Sequence, residues 1–414
     1  MPILLPAQPP PIDFAGTASS SIPNKVAGLT KNAVAIRSID PHDHDFADLQ
    51  PLKQSIGFAR IVLLGGTSGA ATERAKQRLV RFLHEDMGFD VLASEASLFD
   101  AEEMDRALGQ GAAPSRDLRQ SMVLPFLLGG NPVSSTEFID YVRTTYKAGR
   151  PLHLAGLATR ISTFMQRQYA KRLFEFVDRI DPRLAPPADR QAITSMLAGS
   201  SQRFAGTAQW EKVAKPGMAA IGRVAENLGR LPANPATSRE LSFYLRTLAN
   251  LARASLARSG RASPSGPPNI LDWLATVWRP DSKMVVWADN RSIARSAPPP
   301  GNTPAVAGYG STAMLGAQEF GPVTYGIAFA EFRSGPGIPL PAFGPAMAPA
   351  VEDIEALFHA AGKPYFFLDF RSLPQDHWLR QSSGTQVPDA SEAAIWPLTY
   401  DALVSIDLTP AKVR

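Results

Sequence analysis

Glu95 and Asp289, each following a short apolar run, are the two carboxylates expected to face each other across a cleft, and such a pair is equipment for acid and base work. Like charge and burial push such a pair's pKa values apart, so that one can donate a proton while the other accepts. The residues beside them could orient the polar groups of a substrate: Gly66, Thr67 and Ser68 after one run, Trp287, Asn290, Arg291 and Ser292 at the end of another. Each carboxylate also has a structural reading, as a helix cap or as the partner of an arginine such as Arg291. The turn Gly65 to Gly69 could cradle an anion at a helix start. It lacks the Gly-Lys-Ser/Thr ending of a phosphate loop, and Ser68 is not centred in Gly-x-Ser-x-Gly as a nucleophile elbow requires. Ser311 follows Gly310 with no His nearby in sequence, which makes it a weak nucleophile. His42-Asp43-His44-Asp45 has the residue types of a metal site but lies in a polar connection ahead of the sheet, so no metal is assigned. His153 sits in an apolar strand and reads as a hydrogen-bonded core residue.

The elements that must position these groups follow from periodicity. Ile61-Val62-Leu63-Leu64 ends abruptly in Gly65-Gly66, as a buried strand entering a tight turn does. A helix with one buried face follows, with Leu79, Val80, Phe82 and Leu83 interleaved among Arg74, Lys76, Arg78 and Arg81, and Gly88 stops it. Phe89 to Ala93 is a second strand, ending at Ser94-Glu95. Strand, turn, helix and strand in so short a span is a βαβ unit and implies a parallel sheet. Five more strands are expected at 152–157, 284–287, 325–329, 365–368 and 402–406. In an open parallel sheet ligands bind beyond the carboxyl ends of the strands, which is where Glu95 and Asp289 stand. Between the third and fourth strands the spacing turns helical: Met165, Tyr169, Leu173, Val177 and Ile180, then a capping-box pair, Thr237 and Glu240, ahead of Leu241, Leu245, Leu248 and Leu251.

The fold class expected is therefore α/β, a mostly parallel sheet with a helical insertion lobe. Its divisions are a Pro/Ala/Ser-rich flexible leader at 1–34, a first core part at 35–159, the helical lobe at 160–278 and a second core part at 279–414. The charge distribution supports that division: Arg160 to Arg261 holds 17 Lys and Arg against 7 Asp and Glu, whereas the chain as a whole is only +4. So small a net charge, and an arginine-rich helical stripe without interleaved aromatics, argue against a nucleic-acid partner. No apolar stretch is long enough to span a membrane, and residues 1–24 lack the basic and apolar regions of a signal peptide, so the expected location is cytoplasmic. The absence of Cys excludes thiolate nucleophiles, disulfides and iron–sulfur clusters. No cofactor is assigned, and the partner expected is a small-molecule substrate.

Several blocks carry a family resemblance. Asp45 to Leu52, Ala59 to Gly65, Arg78 to Leu83, Gly88-Phe89 and Glu95-Ala96-Ser97 are followed in order by Trp287-Ala288-Asp289-Asn290, the Gly308 to Phe329 segment, Phe367 to Arg371 and Tyr400 to Val404. Over roughly residues 35 to 410 the chain resembles the erythromycin esterase family. That resemblance implies an α/β core, a helical lobe and a deep cleft in which His and Glu residues activate water to open macrolide esters. The pattern breaks where the family's imidazoles belong. Its first motif, Gly-Glu-Ala-Thr-His-Gly, is here Gly65-Gly66-Thr67-Ser68-Gly69; its second, Trp-Ala-His-Asn-x-His, has Asp289 and Ser292 at the His positions; a Gly-x-Asp has become Gly156-Leu157-Ala158. Losing every imidazole removes the bases that titrate near neutrality. The polar replacements suggest a repurposed enzyme in which Glu95 and Asp289 perform acid–base chemistry on a polyketide- or macrolide-like molecule, by cyclisation, dehydration, or epoxide or ester opening. The alternatives are a non-catalytic small-molecule-binding protein and a residual ester hydrolase acting through Glu95 alone.

Overall fold

A computed structural model describes residues 21–66, 69–127, 132–200, 208–232, 234–259, 270–294, 323–332, 354–381 and 396–408. Thr67, Ser68 and Ser311 lie outside the described residues, as does the side chain of Arg291. Eight strands form one sheet: β1 (Val34–Ala35), β2 (Ile61–Leu64), β3 (Val91–Ser97), β4 (His153–Ala158), β5 (Met284–Trp287), β6 (Thr324–Phe332), β7 (Tyr365–Asp369) and β8 (Ala402–Asp407), in the order β1-β7-β8-β6-β2-β5-β3-β4. All seven expected strands are present. The six from β8 to β4 run parallel, whereas β7 is antiparallel to β8 and β1 antiparallel to β7. The fold is thus α/β with a mostly parallel sheet. Its central strands are buried along their whole length, β2 and β5 completely, as strands covered on both faces must be.

The described α-helices ahead of β6, in chain order, are α1 (Ile22–Asn32), α2 (Gln50–Ile56), α3 (Ala70–Met87), α4 (Leu98–Gly109), α5 (Arg116–Leu127), α6 (Pro132–Lys147), α7 (Gln166–Ile180), α8 (Pro187–Gly199), α9 (Ala208–Gly229), α10 (Pro235–Arg258), α11 (Ile270–Trp273) and α12 (Asn290–Ile293), and three shorter ones follow at Ile354–Ala360, Trp378–Gln381 and Trp396–Thr399. Between β4 and β5 the described chain is helical, with α11 running into a π-turn over Leu274–Trp278. Tyr169, Leu173, Phe176 and Val177 of α7 are buried, and Phe176 stacks on Tyr244 of α10 with ring centroids 4.8 Å apart. No described helix is long and apolar enough to cross a membrane.

Three expectations are corrected. The described part of the segment read as a flexible leader, residues 21–34, holds α1 and the first residue of β1, and Leu29 there is fully buried. Its composition masked a helix whose first turn tolerates Pro23, because the missing amide would be unpaired there anyway. The capping box at Thr237 and Glu240 does not form. Asn234 caps α10, its side chain accepting from the Ala236 amide, and Glu240 instead meets Arg179 at 2.6 Å. Nor is α3 buried on one face only: Lys76, Arg78 and Arg81 are all buried within it. Arg78 is held by Asp48 at 2.7 Å, and the Arg81 guanidinium lies 4.1 Å from the centre of the Tyr141 ring. Pairing and ring contact offset the cost of removing those cations from water.

Candidate active site

The register of the central strands decides which residues meet. Leu64 pairs with Trp287 and with Ile327, and Trp287 with Ser94, so the last row of the sheet is Ile327–Leu64–Trp287–Ser94. One residue further along each strand come Gly65, Ala288 and Glu95. The sequence placed Glu95 after its strand; it lies instead within β3, which runs on to Ser97. Between Ser94 and Ser97 the pairing with β4 shifts register, three steps on β3 answering two on β4. A bulge of this kind re-aims side chains at a sheet end. Glu95 Oε1 accepts a hydrogen bond from the Ser292 hydroxyl at 3.0 Å.

Asp289 follows β5 and is the N-cap of α12, its Oδ1 accepting from the Ser292 amide at 2.5 Å. The two carboxylates that sequence reasoning paired are therefore joined through one residue: the hydroxyl of Ser292 holds Glu95, and its amide holds Asp289. Asp289 also fulfils its structural reading as a helix cap.

Asn290, expected to orient substrate, has its amide committed elsewhere. It is fully buried, with Oδ1 accepting from the Phe329 amide at 3.0 Å and Nδ2 donating to the Phe329 carbonyl at 2.8 Å. Strand β2 ends at Leu64, opposite Ile327, so Phe329 lies beyond its reach. The Asn290 side chain completes that edge as a further strand residue would, and the Asn290 carbonyl accepts from the Tyr400 hydroxyl at 3.0 Å.

Gly66 serves the turn. Its φ of 139° is a conformation that favours glycine, and a Cβ there would lie 2.6 Å from Thr72 Cγ2. Its carbonyl accepts from the Asn290 amide at 3.2 Å, which ties the turn after β2 to the start of α12.

The residue that sequence reasoning missed is Lys76. From the second turn of α3 its ammonium donates to the Ala288 carbonyl at 2.7 Å and sits 4.6 Å from the centre of the Trp287 ring. Burial pushes its pKa down from 10.5 to about 7, against the opposing pull of Glu95, Asp289 and Glu73. An amine with that pKa exchanges protons near neutrality. One sequence signal could have revealed it: Lys76 falls on the apolar stripe of its helix, three and four residues before Leu79 and Val80. A neighbouring carboxylate, Glu331 near the end of β6, accepts from the amide of Thr72 at 2.8 Å and from its hydroxyl at 2.6 Å. This anion stabilises the start of α3, where the helix dipole is positive. It also requires Gly69, whose Cβ would collide with it.

The remaining polar candidates lie apart from this site. Arg37 binds Asp43 and Asp45 at 2.8 and 2.7 Å, so those carboxylates serve an ion-pair cluster. His153, at the first position of β4, has Nδ1 3.2 Å from Asp105 Oδ2.

Residues 84–409 match the family model described as erythromycin esterase. Lys76, Gly66 and the turn after β2 precede the matched span. The putative hydrolase YbfO of Bacillus subtilis (strain 168) is 28% identical over 149 residues, covering 36% of this chain and only 32% of that protein's length. A solved succinoglycan biosynthesis protein superposes with a TM-score of 0.69 at 18% identity, over 94% of this chain and 98% of that one. An erythromycin esterase, EreC, solved as a mutant in its open conformation, superposes with a TM-score of 0.62 at 19% identity, over 89% and 95% of the two chains. At these identities the structural likeness concerns the fold.

Proposed function

Because the chain belongs to the erythromycin esterase family, we propose that its cleft is a family-type active site in which an amine has taken over the proton-transfer work of the missing imidazoles. The observation that carries this reading is Lys76, a buried amine with a pKa of about 7 that feels both Glu95 and Asp289. A general acid or base works best with a pKa near the working pH, and a desolvated lysine reaches that range. Glu95, oriented by the Ser292 hydroxyl, is the second proton-transfer group. Asp289 supports it through the Ser292 amide, and Trp287 forms the apolar wall under the Lys76 ammonium. The substrate class is a polyketide- or macrolide-like small molecule. Cyclisation, dehydration and epoxide opening each take one proton from the substrate and return one, which a neutral amine and a carboxyl can share.

Ester hydrolysis is the second reading, favoured by the family itself and by the relative named a putative hydrolase. Glu95 would then activate water, and the Lys76 ammonium would stabilise the oxyanion. Mass spectrometry separates the two. A macrolide panel and a crude polyketide extract are incubated with wild type, Glu95→Gln and Lys76→Met. An isomer or a loss of water, abolished in both variants, supports the repurposed enzyme, and a gain of one water located at a cleaved ester supports the hydrolase. Compounds that bind and return unchanged from all three proteins would show a binding protein.

A further inference from the structure

A cavity lies at the end of the sheet opposite the site of Glu95 and Asp289. Helix α4 leaves the carboxyl end of β3 and, by Asp105, has returned to the start of β4, where Asp105 Oδ1 accepts from the Leu154 amide at 2.7 Å. There α4 faces α10 and Trp278 across a cavity of about 220 Å³ lined by Glu102 and Arg106 on one side and Arg239, Glu240 and Phe243 on the other. Aromatic rings build its wall: Phe243 and Trp278 lie 5.4 Å apart, and the Arg239 guanidinium is 4.3 Å from the centre of the Trp278 ring.

Two of the four charges are matched within the protein. Arg106 meets Glu103 at 2.7 Å, and Glu240 meets Arg179 at 2.6 Å. Among the described residues, Glu102 and Arg239 have no ion-pair partner within 4 Å. The cavity thus presents one unmatched acid and one unmatched guanidinium on its two walls, beside aromatic rings. We propose that it is a binding site for a small zwitterion of amino-acid size, its ammonium against Glu102, its carboxylate against Arg239 and its apolar side chain against Phe243. The volume supports a small ligand, since pockets for drug-sized molecules begin at roughly 300 Å³. Guanidinium and carboxylate pair in planar, charge-assisted geometry, which suits Arg239 to that role.

The protonation of Glu102 supplies a second readout. Burial, and then the charge of Asp105, push its pKa up to about 7, against Arg279, Arg106 and Arg239. The phenol of Tyr146, bonded to Asp105, also faces this group. An arriving ammonium favours the ionised carboxylate, so binding near pH 7 releases protons.

The test uses the full chain, with calorimetry and thermal shift. The probes are L-phenylalanine, 3-phenylpropanoate, which lacks the ammonium, and 2-phenylethylamine, which lacks the carboxylate. L-phenylalanine is expected to bind and raise Tm, with each truncated probe about tenfold weaker or more, the scale of one charge-assisted contact. Its binding enthalpy at pH 7 should vary with the ionisation enthalpy of the buffer, and Glu102→Gln should abolish that variation. Glu102→Gln should also erase the preference over 3-phenylpropanoate, and Arg239→Gln the preference over 2-phenylethylamine, while both variants keep the wild-type Tm without ligand. Lys76→Met should leave binding unchanged, which separates this site from the cleft. No saturable binding of L-phenylalanine, equal binding of all three probes, or loss of binding in Lys76→Met would each overturn the proposal.

Discussion

Lys76 shows how much chemistry one misplaced charge can carry. Its lowered pKa means that the folded protein binds fewer protons than the unfolded chain between about pH 7 and 10.5. Stability at this site therefore rises as pH is raised through that window, and the whole penalty of burying the ammonium is present below it. Denaturant unfolding of wild type and Lys76→Met at pH 7 and pH 9 is expected to show a steeper rise for wild type; parallel changes would mean that the amine titrates normally. The same group predicts activity that rises through about pH 7 in wild type and loses that limb in Lys76→Met. Asn290, at the start of α12, is its structural counterpart. Asn290→Ala would leave the Phe329 amide and carbonyl unpaired in the interior and is expected to cost roughly 2–4 kcal/mol, measured by denaturant unfolding.

At the scale of elements, the site is made where β6, β2, β5 and β3 share one row, by the turns that follow β2 and β5 and by the continuations of β3 and β6 beyond it. The turn after β2 depends on Gly66, so Gly66→Ala combines a strained positive φ with a collision against Thr72. A loss of about 1–3 kcal/mol is expected, with the Lys76 pH dependence altered because the two residues are neighbours. A Tm equal to wild type would show that the turn re-forms without strain. The bulge in β3 is the second device. A regular β3 would set Glu95 by the pleat alone, whereas the register shift against β4 places it beside Ser292. Glu331 and Gly69 are coupled in the same way, since the carboxylate that caps α3 occupies the space a side chain at Gly69 would need.

At the scale of the whole molecule, Asp105 joins parts of the chain that are far apart in sequence. It binds the Leu154 amide, His153 and Tyr146, and meets Arg279 just ahead of β5 at 3.1 Å. Burial alone would raise its pKa, but the bonds from His153, Tyr146 and Leu154 outweigh it and hold the carboxyl below its usual range. Its folded pKa being depressed, its stabilisation is present above the ordinary carboxylate range and is lost as pH falls through the folded value. Asp105→Asn is expected to destabilise by about 3–5 kcal/mol, the scale of breaking a buried ionic network. The difference from wild type should shrink in acid; a constant difference from pH 7 to pH 3 would mean that the charge is not what holds these segments together.

Local pattern was enough for the strands, the α/β class and the helical lobe, because apolar runs cut off by glycine and helical spacing are properties of neighbouring residues. It also singled out Asp289 as a residue that follows its strand, whereas Glu95, read as following β3, lies within it. Composition misled at residues 22–34, where proline and small residues hid α1, and at Thr237, where an ordinary cap one turn earlier prevailed. What remained invisible were facts set by register and by long-range packing. Asn290 reads as a polar residue of a cleft, but it pairs with Phe329 because β6 outruns β2. Lys76 reads as one cation among four on a helix, but its stem turns inward over Trp287, which only the packing of α3 on β5 decides. Glu102 and Arg239 are more than a hundred residues apart in the chain and face one cavity because α4 and α10 stand on either side of it. A charge's solvation, and hence its pKa and its use, depends on neighbours in space, and those the tertiary structure alone assigns.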